Sequence, residues 1–251
     1  MAVEVSIVVP VLNEASTIRG CLTRLRRDFP DCELLVADGG SRDGTAALAA
    51  QYGRVVHSEP GRGRQMNAGA AASAGAILWF VHADYTIPVT ALAALRSALA
   101  DPAVVGGGLQ LRFDQRSPGL NWLAYTSNHR ARRLGWIFGD QAMFVRRAVF
   151  EELGGFPQIP LMEDLEMSRR LRRRGHLLVL PVACTASARR LVQHGPWRMT
   201  VLMQVLKAQY LLGVDPERIR RRYEAGTRRG RRKRAPWRRS VVPPSNNGPH
   251  V

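Results

Sequence analysis

Four acidic positions in this chain each stand at the polar end of an apolar run. Glu14 follows SIVVPVLN, Asp38 follows ELLVA, Asp84 follows ILWFVHA, and the pair Glu163-Asp164 follows Met162. Carboxylates of this kind can bind a divalent metal, accept from a substrate hydroxyl, or take a proton from an attacking nucleophile. His82 and Asp84 are two apart on an extended stretch, so their side chains point the same way and could share one ligand. Each acid also has an ordinary reading: Asp84 as the cap of a helix at Val89–Leu99, Glu163 and Asp164 as first-turn acids satisfying a helix dipole. Their joint occurrence is what points to a site.

The elements that must position them follow from the apolar pattern. Ile77 to Val81 has the length and composition of a strand buried on both faces, and Val5–Pro10 and Glu33–Ala37 read the same way. Between them lie a helix to about Asp28, a helix Thr45–Tyr52 with Ser41 as its N-cap, a short strand at Val55-Val56, and an Ala-rich helix entered through GRGRQMNAG. Such alternation predicts an α/β fold, a mostly parallel sheet with helices on both faces. Ligands bind beyond the carboxyl ends of the strands in such sheets, which is where the acids stand. His82-Ala83-Asp84 is expected to lead into a polar turn ending at Pro88.

The second half changes character. Strands are expected at Val104–Phe113, Gln141–Val145 and Leu177–Leu180, and helices at Leu120–Arg133 and Arg147–Leu153. The segment Glu163–Arg174 begins with acids and ends with bases, a polarity that favours a helix, and Gly175 is a natural stop. Trp197–Leu212 is apolar almost all round, broken by Gln204, Lys207 and Gln209. It reads as a helix packed on the domain or as a surface meeting a bilayer or partner.

The 251 residues carry a formal net charge of +17 and are 45% hydrophobic, enough to bury a sizeable core. The charge is concentrated at the C-terminus, where basic residues run from Arg218 to Arg239 with only Glu217 and Glu224 as acids beside them. A domain is expected over 1–195, a helical segment over 196–226, and a basic, disordered tail over 227–251. Cys21, Cys32 and Cys184 have neither metal nor redox spacing, which fits a reducing compartment. No signal-like N-terminus is seen and no apolar run reaches the roughly 18 residues of a spanning helix. A cytoplasmic protein, soluble or peripheral to the inner face of an anionic membrane, is expected. A nucleic-acid-binding protein is the rival from another class, motivated by charge alone. Without aromatic platforms or a helix-turn-helix, no specific nucleic acid is expected.

Longer strings carry a resemblance. SIVVPVLNE, VADGGSRDGT, GRGRQMNAGAAASAGAILWFVHADYTIP, and GDQAMFVRRAVFEELGGFP with MEDLEMSRRLRRRGH together resemble the family 2 glycosyltransferases of GT-A fold. Within that family the likeness is to compact bacterial members of the arsenosugar-biosynthesis type, which share something like SARR and HGPW after the last strand. The resemblance implies an inverting transfer from a nucleotide-sugar donor to an unidentified acceptor hydroxyl, assisted by Mg²⁺ or Mn²⁺. A transferase acting on polyprenyl phosphate at a membrane surface is the alternative. On this reading Pro10, Asn13, Glu14, Asp38 and Gly40 contact the nucleoside, with Asp38 accepting from the base N–H. Arg62, Arg64 and Asn67 contact phosphate or sugar, Asp140 and Gln141 lie on the acceptor side, and Arg189 and Arg190 clamp the diphosphate. Asp164 is the general base, oriented by Glu163. Asp84 holds the metal, with His194 as a further ligand and His82 either a nitrogen ligand or, preferred, a hydrogen-bonding partner of phosphate or sugar. Two departures stand out: the family's DxD appears as His82-Ala83-Asp84, leaving one carboxylate, and the second motif has Asp38-Gly39 where many relatives carry two acids.

Overall fold

The computed structural model describes residues 4–231, and of residues 190 and 228–231 the backbone alone. The first half runs β1 (Val5–Val11), α1 (Ala15–Asp28), β2 (Glu33–Asp38), α2 (Thr45–Ala49), β3 (Arg54–His57), α3 (Arg62–Ala72), β4 (Ile77–Phe80), β5 (Tyr85–Thr86) and α4 (Thr90–Leu99). The second half adds β6 (Val104–Phe113), α5 (Pro118–Leu134), a 3-10 turn (Gly139–Gln141), β7 (Phe144–Arg146), α6 (Arg147–Glu152), α7 (Glu163–Arg172) and β8 (His176–Ala186). Three helices close the described chain: α8 (Arg189–His194), α9 (Pro196–Leu211) and α10 (Pro216–Arg231).

All eight strands form one sheet in the order β3-β2-β1-β4-β7-β6-β8-β5. Four of the seven pairings are parallel, among them the four-stranded block β3-β2-β1-β4, so the sheet is mostly parallel as expected, with short antiparallel pairings of β4 with β7, β7 with β6 and β8 with β5. The parallel block β3-β2-β1-β4 is the half read from the sequence, and its carboxyl ends form one rim. Every residue of β1 and β4 is buried, because helices cover both faces. Alternate residues divide between two cores: Ile7, Val9 and Trp79 pack with α1 and α4, while Val8, Leu78 and Phe80 pack with α3, α6 and α7. Helix α3 lies so close to β1 that a Cβ on Gly69 would come within 2.4 Å of Val8 Cγ1. A third core, with Met162, Leu165, Leu206 and Ile219, docks α9 and α10 onto the domain.

Several expectations change. The last strand does not stop at Leu180: β8 runs on to Ala186, and Pro181 falls at the register irregularity between Leu109 and Gln110, where no ladder N–H is needed. The turn after Asp84 contains a strand, β5, with Tyr85 paired to Ala186 and Thr86 to Thr185. Helix α4 starts after Val89, so Asp84 is not its cap. Helix α2 starts after Gly44 at φ 83, so Ser41 is not its cap either. Helix α10 reaches Arg231, past residue 227 where the tail was expected to begin; the rest of the expected disordered tail lies outside the described residues. Among the described residues no helix is long and apolar enough to cross a membrane.

Candidate active site

The loops that follow β1 and β2 are laced to each other. The N–H of Asn13 donates to Ser41 Oγ at 2.9 Å and the N–H of Arg42 donates to Asn13 Oδ1 at 2.9 Å. The N–H of Glu14 donates to Thr45 Oγ1 and that of Ala15 to Asp43 Oδ2, at 2.9 and 3.0 Å. Asn13 holds φ 55, a left-handed conformation that asparagine tolerates well. Asp38, buried at the end of β2, turns its carboxylate onto its own loop, accepting from the N–H groups of Gly40 and Ser41 at 3.1 Å each. The residue expected to accept from a base N–H thus organises its own loop in this structure, and Gly40 supplies the turn with φ 88.

Beside these loops opens a cleft of about 350 Å³ whose lining includes Pro10, Glu14, Arg62, His82, Asp84 and Tyr85. Its floor is closed by Gln65, whose Nε2 donates to the carbonyls of Val11 and Ala37 at 2.6 and 3.0 Å. His82 and Asp84 are half-buried, as their position past β4 requires. Tyr85 lies 5.2 Å from the His82 ring, centroid to centroid. Burial, then the neighbouring Asp140 and Asp84 carboxylates, push its phenol well above its ordinary range, so it remains a neutral donor. Arg62, the first residue of α3, is 47% exposed to the cleft and places Nε 3.3 Å from Glu163 Oε1. Burial raises the Glu163 carboxyl, the Arg62 guanidinium opposes that, and Asp164 adds to it.

Gly139 is where the two sides of the cleft meet. Its N–H donates to Asp164 Oδ2 at 2.8 Å, and the N–H of Leu165 donates to Asp164 Oδ1 at 2.8 Å. A Cβ on Gly139 would lie 2.8 Å from His82 Nε2, 3.3 Å from an Arg62 guanidinium nitrogen and 3.5 Å from Asp164 Oδ2. Strand β4, α3 and α7 thus converge on one glycine. Asp140 next to it is half-buried, and desolvation raises its carboxyl against the pull of Arg130. Its Oδ1 has no hydrogen-bond partner among the described residues. Arg130 stacks 3.8 Å over the Phe138 ring, and Lys207 Nζ lies 5.3 Å from the same ring. Burial and Arg130 pull the Lys207 ammonium down to about 8, against Asp140 and Asp164.

Of the remaining expected residues, Arg64, Asn67, Gln141, Arg189 and His194 are not among those that line this cleft. Arg64 points away from the cleft and pairs with Glu59. Asn67 is spent on the backbone of Phe156, accepting from its N–H at 2.9 Å and donating to its carbonyl at 2.8 Å. Gln141 is buried, donating to the Leu109 carbonyl and accepting from Arg130, so it holds the turn. Arg189 is exposed at the start of α8, and of Arg190 only the backbone is described. His194 ends α8 with a buried Nδ1 that has no hydrogen-bond partner among the described residues. His82, Asp84 and His194 are not gathered: among the described residues no group of three or more His, Cys, Asp or Glu is placed to hold a metal. Tyr85, Arg130, Gly139 and Lys207 were missed. Only Lys207 left a signal, as a charge in the middle of a largely apolar helix.

Residues 6–154 match the family model described as Glycosyl transferase family 2. Glycosyltransferase AglE of Haloferax volcanii is 28% identical over 169 residues, 61% of this chain and 56% of AglE. The mannosyltransferase PcManGT from Pyrobaculum calidifontis, solved with GDP-Man and Mn²⁺, superposes with a TM-score of 0.63 at 21% identity, over 82% of this chain and 63% of that one. Staphylococcus aureus TarS 1-349 with UDP-GlcNAc gives a TM-score of 0.58 at 17% identity, over 73% of this chain and 58% of that one. Glucosyl-3-phosphoglycerate synthase from Mycobacterium tuberculosis, solved with Mn²⁺, UDP and glucosyl-3-phosphoglycerate, gives 0.52 at 20% identity, over 73% of this chain and 70% of that one. The chain thus spans less than two thirds of the length of AglE and of PcManGT.

Proposed function

The chain belongs to glycosyl transferase family 2, and from that premise we propose that it moves a sugar from a nucleoside-diphosphate sugar to an acceptor hydroxyl with inversion. The observation that carries this reading is the convergence of His82, Arg62 and Asp164 on Gly139, next to a cleft lined by Asp84. The nucleoside lies against the laced loops after β1 and β2, and the diphosphate lies toward Asp84, His82 and Arg62. Asp164 faces it from α7. Its two backbone donors fix the carboxylate, and the acceptor hydroxyl gives its proton to that carboxylate as the oxygen attacks the sugar. Glu163 is held by Arg62 rather than by Asp164, so its part is to fix Arg62 beside the leaving group.

The donor set fits Mg²⁺ or Mn²⁺ bound largely by the substrate. Asp84 supplies one half-buried carboxylate at the cleft, and such ions take one or two protein carboxylates together with phosphate oxygens. When bound, the ion supplies charge neutralisation of the departing diphosphate. GDP-Man with Mn²⁺ in the Pyrobaculum structure, and UDP with Mn²⁺ in the mycobacterial one, support this reading.

Thermal shift with GDP-mannose, UDP-N-acetylglucosamine and UDP-glucose, each with and without Mn²⁺, tests the proposal. A donor present at 100 times its Kd stabilises by about 2.7 kcal/mol. Failure of every nucleotide sugar to stabilise the chain in the presence of Mn²⁺ overturns it.

A further inference from the structure

Helix α9 is apolar almost all round, yet only one side of it is covered. Met199 and Leu206 face the domain. The other side leaves Trp197 56%, Val201 62%, Val205 46% and Leu212 83% exposed. Trp197 rests on the start of α5, where a Cβ on Gly119 would lie 3.3 Å from its indole. Along α5 from that junction, Trp122 and Tyr125 are 52% and 63% exposed, with rings 6.0 Å apart. Residues three and four apart share a helix face, so an aromatic edge on α5 continues the apolar stripe of α9. Contiguous exposed apolar surface of this kind marks a place of contact.

Charge says what the contact is. No Asp or Glu occurs from Gln115 to Gly139 or from Ser187 to Val214, the two segments that build this face. Exposed Arg116, Arg132, Arg133 and Arg198 belong to the same segments. A second copy would bring like charges together, whereas an anionic lipid surface complements them. Trp and Tyr beside Arg is also the composition that sits at headgroup level. We propose that the α5–α9 face docks on an anionic bilayer, with α9 lying in the interface. The same helix carries Lys207 to the acceptor side of the cleft, so docking brings that side to the membrane. The proposal stands independently of which donor the cleft takes.

The test is flotation of the full chain with vesicles of phosphatidylglycerol and phosphatidylcholine, and with phosphatidylcholine alone, together with quenching of Trp fluorescence by brominated acyl chains. The native chain is expected to float with the anionic vesicles, to be quenched there, and to be partly released at about 0.5 M salt, where charges are screened within a few ångströms. The double variant Val201→Ser/Val205→Ser keeps every charge and alters only exposed positions, so its Tm should match the native chain. Its partition should fall at least about tenfold, from the lost apolar contact. Native-like flotation of the variant would assign binding to the basic C-terminus and overturn the proposal. So would absence of flotation on anionic vesicles, or a dimer in sedimentation that the same variant dissolves.

Discussion

On one side of the cleft, backbone N–H groups from one loop are met by side chains of the other: Asn13, Ser41, Asp43 and Thr45 lace the ends of β1 and β2 together. On the opposite side, Arg62 pairs with Glu163, and Arg130 and Lys207 feel the charges of Asp140 and Asp164 in partly dry surroundings. The first arrangement is a lacing of short hydrogen bonds with a single ionised member, Asp43, whose carboxyl is held below its ordinary range by Thr45 and the Ala15 N–H. The second stores electrostatic free energy in desolvated charges, so removing one partner leaves another uncompensated. The difference teaches that substitutions on the two sides should fail in different ways: loss of fit on one, loss of chemistry or a changed pH response on the other.

The sharpest break in that comparison comes from Asp164→Asn, which keeps the shape and removes the proton acceptor. Turnover should fall about 10² to 10⁴-fold while donor affinity by titration calorimetry stays near native. A collapse of donor affinity would place Asp164 with the donor instead. Asp84→Ala should act across the cleft, lowering metal affinity by at least about 10- to 100-fold. The reading is the Mn²⁺-dependent part of the thermal shift with nucleotide sugar, which should vanish. Persistence of that part would move the metal ligand elsewhere.

Asn67→Ala should do neither. Both of its polar atoms serve the Phe156 backbone, so the variant should lose about 1–3 kcal/mol of stability in urea unfolding. Donor affinity should hold, and its loss would return Asn67 to the cleft. The smallest effect is one of pH. The Lys207 ammonium is pulled to about 8 from its ordinary 10.5, so between those values the unfolded chain binds this proton and the folded chain has released it. Stability from this group therefore rises with pH across that window. Unfolding followed from pH 7 to 10.5 should show the rise in the native chain and a flatter profile in Lys207→Met.

How much of this was legible in the sequence differs between the same two sides. The parallel block could be read because strands covered on both faces are continuous apolar runs, and each run ended in a polar signal such as Asn13-Glu14 or His82-Ala83-Asp84. Arg62, Arg64 and Asn67 were read together, but successive helix positions turn by about 100°. That rotation sends Arg62 into the cleft, Arg64 to Glu59 and Asn67 to Phe156. Direction along a three-residue strand leaves no trace in composition, so the antiparallel placement of β7 was invisible. Arg130 and Lys207 come from helices far apart in the chain, and only the third core that docks α9 brings them together.

The short pairing of Tyr85 and Thr86 with Thr185 and Ala186 has a bearing on modularity. The stretch that immediately follows Asp84 is fastened to the end of β8, beyond the last residue of the family-defining segment at 154. Recombination between relatives at that boundary would therefore pair β5 of one parent with β8 of the other, right next to Asp84. A crossover that keeps residues 77–88 and 176–186 from one parent respects the unit the chain actually uses. Inheritance of this cleft runs through two distant pieces of sequence that behave as one part.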